Sequence, residues 1–420
     1  MSNKKLGLVI LWHQHQPYYK NSSGVYQMPW VRFHSTKDYL DLLLVLKEFP
    51  DIKQNFNLVP SLLLQIEDYV QNNAKDNIWE LTEKPANKLQ PDEKEKILDN
   101  FFLTNVNTMI KPYRRYYELY LKSKVYLKNE PVERQIAAFT PQDYRDLQVW
   151  YNLTWIGVES RKKAGIQKFF KKGKNFTEAD KNSLLKEIKE ILSQIIPLHK
   201  ELWEKGQIEI STTPFYHPIL PLLCDNHICQ EAAPGIPVPK HHFNHTEDAE
   251  AQIENGLAHV EKIFGKRPDG MWPSEGSVST EALEIIARKG VKWVASDEGI
   301  LSKTLDKSFS HLKIYQPYCL ETEKNSIHVF FRDHYLSDAI GFVYSNWSAE
   351  RAVADFMERL HAIRKMLIDQ HGESFLDQFV IPIILDGENC WEYYADDGKP
   401  FLRNLYQALT ENKLIQTQQL

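Results

Sequence analysis

Cysteine is scarce in this 420-residue chain. Its four residues (Cys224, Cys229, Cys319, Cys390) are too few and too scattered for a disulfide scaffold, and a reduced, cytoplasmic compartment is the expectation. Glycine is also sparse, at 17 residues, and neither GxGxxG nor GxxxxGKS/T occurs, which removes the usual phosphate-cradling turns of nucleotide enzymes. No apolar run approaches the roughly 20 residues needed to span a bilayer. The run Leu6 to Trp12 behind MSNKK leads into polar His13 rather than a small-residue cleavage site, so it reads as a strand and not a signal peptide. Neither sign of charge is in excess: 51 basic against 56 acidic residues give −5, which argues against a nucleic-acid or anionic-membrane partner. There is no Pro/Gly/Ser-rich linker, internal repeat or low-complexity tract. With 42% hydrophobic and 25% charged residues, the composition is that of an ordinary soluble globular protein.

What the chain does have is a recurring short apolar run that ends in a polar residue. There are seven: LGLVILW before His13, DIKQNFNLV with Asn55 and Asn57, QIEIST before Thr213, DGMWPS before Glu275, VKWVAS before Asp297, IHVFF before Arg332 and Asp333, and FVIPIIL before Asp386. Residues 38–49, 247–264, 280–289 and 348–369 lie between them with apolar positions three and four apart, the helical period. Near-continuous apolar strands alternating with helices indicate an α/β fold with a parallel sheet covered on both faces. An open doubly wound sheet concentrates function at one Gly-rich crevice. Here every run ends in a polar side chain, as in a barrel that draws its chemistry from many strand ends. The expectation is an incomplete (β/α)7 barrel formed by residues 1–60 and 207–390. A helical insertion, 61–206, would lie over the catalytic face, and a short C-terminal helical segment would occupy 391–420. The insertion's basic stretch RKKAGIQKFFKKGK reads as a solvated helix or a mobile loop.

Alternation places Val9, Leu11, His13 and His15 on one face of the first strand. Two imidazoles projecting from a strand end can ligate a metal or hydrogen-bond a polar substrate, or they are buried structural histidines. With Asp386, the pair is also what a metal-dependent barrel amidohydrolase or deacetylase would offer a divalent ion.

The strongest pair is Glu275 in MWPSEGSV and Asp386 in ILDGENCWEYY, 111 positions apart. A carboxylate ending an apolar strand is costly unless it is paired or functional. Two such groups suit glycosidic cleavage: one attacks or stabilises the anomeric carbon and the other protonates the leaving oxygen. Glu388 shares the face of Asp386 if the strand continues, and a like charge there would raise the pKa of Asp386. Arg332 is placed to hold the other carboxylate ionised. Trp272, Trp391, Tyr393 and Tyr394 offer faces for sugar stacking, although aromatics are also ordinary core.

Together HQHQP, GQIEISTTPFYHPILPLL, GMWPSEGSV, FFRDHYLSDAIGF and ILDGENCWEYY resemble the family 57 glycoside hydrolases, most of all their α-amylase and amylopullulanase branch. The motifs run in order from residue 13 to residue 394, nearly the whole chain. The resemblance implies a (β/α)7 barrel and retaining cleavage of α-glucans, α-1,4 bonds with α-1,6 left open, with no metal or other cofactor. It places the nucleophile on Glu275 and the acid/base on Asp386. His13, His15 and His217 are then expected in the substrate-binding subsites, joined by Trp272, Arg332, Asp333, Glu388 and Trp391. Hydrolysis is not separated from 4-α-glucanotransfer or branching, because loops set that choice. Amylopullulanases are usually longer, and the helices that help wall their site are short or missing here.

Three weaker signals have blander readings. Cys224 and Cys229, with His227 between them, lack a second ligand pair at matching spacing. His241, His242 and His245 fall in a loop expected to be exposed. Trp150, Tyr151 and Trp155 have the helical spacing of core residues.

Overall fold

A computed structural model describes residues 4–322, 325–388 and 390–420. Asn389 of the last motif lies outside the described residues. The sheet contains strands β1 (Leu6–Gln14), β2 (Gln54–Leu58), β3 (Ile208–Thr212), β4 (Gly270–Met271), β5 (Trp293–Asp297), β6 (Tyr318–Glu321), β7 (Ser326–Arg332), β8 (Val380–Asp386) and β9 (Ile415–Thr417). Their order is β6-β7-β5-β4-β3-β2-β1-β8, with β9 also pairing β1. Every pairing is parallel except β6 with β7. The seven apolar runs are β1–β5, β7 and β8, and they curl into an incomplete (β/α)7 barrel.

Strand β1 shows why the sequence folds this way. Leu6, Leu8, Ile10 and Trp12 pack outward into the main core between sheet and helices, whereas Leu11 belongs to a small inner cluster with Trp272, Trp293, Ala295 and Ile384. Both faces are apolar, so the strand is fully buried along its length.

The barrel closes at a seam between β7 and β8 by isolated bonds instead of a ladder. Asp333 N–H donates to Pro382 C=O (2.9 Å), Arg332 Nε–H to Ile384 C=O (2.7 Å), and Ile384 N–H to Ser337 Oγ (3.1 Å). Within a strand, a residue's N–H and C=O point to the same side, so Pro382 turns its missing donor toward the seam, where no ladder needs it.

The periodic helices fall close to expectation. Thr246–Phe264, Thr280–Arg288 and Ala349–His371 form as single helices. Residues 38–49 belong to a longer element, in which an α-helical turn (Trp30–His34) passes through a π-helical turn (Ser35–Tyr39) into Leu40–Lys47. The extra residue of a π turn brings Lys37 and Asp38 into the interior, where Lys37 Nζ pairs with Asp38 (2.7 Å) and with Asp397 (3.5 Å).

Between β2 and β3 the chain is helical. Phe33 stacks on Trp155 (4.9 Å, 4° between planes) and meets Tyr151 edge-on, so Trp150, Tyr151 and Trp155 are core. This body touches the loop after β8 through Thr108 Oγ1–H to Glu392 C=O and through Arg161 with Asp397. The C-terminal segment is not solely helical. After Lys399–Glu411 it adds β9 beside β1, and Leu420 reaches the inner cluster at the barrel floor. Among the described residues, no helix is long and apolar enough to cross a membrane.

Candidate active site

Parallel register builds the site in rows. Asp386 of β8 lies opposite His13 of β1, His13 opposite Asn57 of β2, and Asn57 opposite Ser211 of β3. Paired residues of neighbouring strands face the same way, so these four side chains form one tier at the carboxyl end of the barrel. One row below, Leu11 and Ile384 supply an apolar floor.

Glu275 enters from the opposite wall, in the turn Ser274–Gly276 directly after β4, and its side chain is 73% exposed. Its backbone is left-handed (φ +57°), as is that of Gly276 (φ +66°), where a Cβ would stand 3.2 Å from the Trp272 ring. A non-glycine residue held there costs on the order of 1 kcal/mol and persists only where its surroundings impose it. The Ser296 hydroxyl secures the turn by donating to Gly276 C=O (2.7 Å).

The three motif histidines converge. His15 and His217 stack with ring centroids 4.1 Å apart, and His13 lies 5.2 Å from His217 and 5.7 Å from His15. Asn57 Nδ2 donates to Ser211 Oγ and Thr212 C=O, so its Oδ1 is the acceptor for His13 Nδ1–H at 2.8 Å. Burial, reinforced by the charge on His13, lowers the His15 pKa to about 4; burial with both neighbouring imidazoles lowers that of His217 to about 2. Both rings are therefore neutral at physiological pH. His217 is also left-handed (φ +60°), and its Nδ1 is 4.0 Å from Glu275 Oε1.

Glu388 lies past the end of β8 with its carboxyl buried. It accepts from Tyr39 O–H (3.0 Å), His15 N–H (3.3 Å) and Gln16 Nε2–H (3.4 Å). Burial first, then the charge of Asp386, raises its pKa well above the usual carboxylate range.

Three expectations are corrected. Arg332 lines the cavity but does not pair with Glu275; its guanidinium is taken by Asp338 (2.5 Å) and Asp297 (3.6 Å). Asp333 faces away from the cavity: it caps the following helix through Leu336 N–H (2.8 Å) and accepts from Tyr315 O–H (2.8 Å). Trp391 is fully buried against Trp12 and donates to Gly387 C=O, so it is core and offers no face to a sugar.

A single cavity of about 510 Å³ is lined by His13, His15, Trp272, Glu275, Arg332, Asp386 and Glu388. Gln16, Pro17, Asp297, Ser337, Asp338 and Phe342 also line it and were not singled out as site residues, although each falls within or beside a quoted motif. His217 is not part of the lining and reaches the site by stacking on His15. Among the described residues, three groups have ligand atoms close enough to share a metal ion: His13, His15 and His217; Asp225, His227 and His242; and Glu298, His311 and Asp333. His13 and His15 thus group with His217 and not with Asp386. His242 and His245 are exposed and bonded to Asp225 and Glu247.

The family model for glycosyl hydrolase family 57 matches residues 9–420, and the chain belongs to that family. No curated protein sequence matches it significantly. Among solved structures, 99% of the chain superposes on a 4-alpha-glucanotransferase from Thermococcus litoralis (TM-score 0.51, 17% identity), of which it spans only 39%. It is similarly like the alpha-amylase AmyC from Thermotoga maritima (TM-score 0.56, 16% identity, 99% of this chain and 73% of that one). A branching enzyme of the same family from Thermococcus kodakaraensis gives a TM-score of 0.55 at 17% identity, covering 99% of this chain and 70% of that one.

Proposed function

We propose that the protein is a retaining glycoside hydrolase acting on α-glucans, cleaving α-1,4-glucosidic bonds with Glu275 as nucleophile and Asp386 as general acid/base. One observation carries this reading: two carboxylates from opposite walls, at the ends of β4 and β8, line the same cavity beside an indole and a pair of imidazoles. Family membership supports the reaction type, and the names of the solved neighbours support the glucan class.

Glu275 attacks the anomeric carbon while Asp386 protonates the glycosidic oxygen, which leaves a covalent glycosyl-enzyme. Asp386 then takes the proton of the incoming water or sugar hydroxyl as the ester is cleaved. Glu388, held neutral by burial, adds hydrogen-bonding capacity next to Asp386 without a second negative charge. Neutral His15 and the neighbouring His13 ring are suited to bond sugar hydroxyls, and Trp272 to stack on the ring. Transfer to a second sugar is the other reading, favoured by Phe342, which is 74% exposed on the cavity lining and offers an acceptor a stacking face.

Incubation with maltoheptaose tests both. Shorter products alone mean hydrolysis, and longer oligomers mean transfer. Glu275→Gln is expected to lower kcat by a factor of about 10³ or more while leaving the melting temperature essentially unchanged. Activity within tenfold of the parent would overturn the assignment.

A further inference from the structure

We propose that His13, His15 and His217 form a binding site for one borderline-soft divalent cation, Zn²⁺ foremost, and that the ion and a glucan compete for the cleft. The competition rests on the glucan reading above; the ion site does not.

The donor set is three imidazoles whose ligand nitrogens all lie within 4.8 Å of one another. Zinc with bonds of about 2.0–2.1 Å needs nitrogens about 3.3 Å apart, so the rings must close by at most about 1.5 Å. Two of the three are already prepared. Because Asn57 Oδ1 accepts from Nδ1–H, His13 presents its Nε2 lone pair to the cleft, with the hydrogen-bonded backing that orients metal-bound imidazoles. The His217 side chain is only 6% exposed, and its Nε2 has no hydrogen-bond partner among the described residues. A buried ring nitrogen without a partner is unfavourable unless a ligand completes it. Nitrogen donors without a carboxylate select zinc, copper or nickel over magnesium or calcium. His13 and His15 line the same cavity as Glu275 and Asp386, so an ion held by their rings would occupy space that a sugar needs there.

The group Asp225, His227 and His242 serves as control: its histidines are exposed, and His242 Nε2 is already 2.9 Å from Asp225 Oδ1. Chelator-treated full-length protein is titrated with ZnCl₂ by calorimetry, and with Co²⁺ by visible absorption. One equivalent is expected to bind, at least tenfold more weakly in His217→Asn and in His15→Gln, and unchanged in His242→Ala. Asparagine tolerates the left-handed backbone at 217; should that variant misfold by circular dichroism, His15→Gln decides. No binding, binding that survives the cleft substitutions, or binding lost in His242→Ala would each overturn the site. On the Glu275→Gln protein, which cannot consume it, saturating maltoheptaose should raise the apparent zinc Kd at least tenfold. An unchanged Kd would overturn the competition while leaving the ion site standing.

Discussion

Two buried polar groups in this protein use similar residue types to opposite ends. Beneath the helix Trp30–His34, Arg32 is fully buried. Its guanidinium donates to both oxygens of Asp76 (2.7 and 3.1 Å) and to Asn152 (2.7 Å), and Asp76 also accepts from Tyr69 O–H and Trp79 N–H. In the cleft, by contrast, Glu388 Oε2 and His217 Nε2 are buried with no partner among the described residues, and Glu275 stands on a left-handed backbone. The first group is closed and serves packing. The second is left incomplete, with bonding capacity that a ligand could fill. Buried charge alone therefore does not mark a functional site; unfilled bonding capacity beside a cavity is the better sign.

Breaking the closed group should have the largest effect on stability. Asp76→Ala leaves Arg32 charged and unpaired in the interior, and is expected to cost about 3–5 kcal/mol in denaturant unfolding while kcat per folded molecule is retained. A cost below about 1 kcal/mol would mean that the two groups do not differ as described.

Substitutions in the open group should act through pH. Glu388 holds its proton in the folded protein above the pH at which the unfolded chain releases it, so its burden on stability is absent in acid and grows as pH rises past 4.5. Glu388→Gln should therefore gain stability on the parent by about 1.4 kcal/mol per pH unit above that point, for as long as the folded protein keeps the proton. A pH-independent difference would contradict the assignment.

His15 has the reverse sign. Its folded pKa, about 4, lies below the unfolded value of 6.5, so its contribution is complete above pH 6.5 and is lost as pH falls toward 4. His15→Gln should flatten the acid limb of the stability profile, by about 1–2 kcal/mol at pH 5. Parallel acid limbs would show the ring to be solvated.

Strands such as β1 and β8 were legible because they are near-continuous apolar runs, which a sheet covered on both faces requires, and β2 and β3 because apolar residues recur in short β-rich runs. The strands that sequence reading passed over have no such signature. β6 alternates between partly and fully exposed positions and pairs antiparallel at the sheet edge; β9 is three residues long and is fixed by the neighbouring β1. In the site, strand-end polarity drew attention to the residues that line the cavity, but it could not say which way a side chain turns once the strand has ended. Asp333 is one position beyond β7 and turns into a helix cap, a role that DHYL followed by a helical pattern could have suggested. Trp391 was read as a sugar platform from its neighbourhood. Gly398 gives the better clue, because a Cβ there would stand 2.4 Å from the indole, a closeness typical of packed core. The role of Asn57 in fixing the His13 tautomer was not legible, because it depends on the register between two strands.

The seam between β7 and β8 has a consequence for tolerance to mutation. Elsewhere around the wall, adjacent staves are joined by peptide groups, which almost any replacement preserves. The stave bearing Asp386 is fastened on its outer side partly by the Ser337 hydroxyl and the Arg332 guanidinium, so one altered codon can loosen it without touching Asp386.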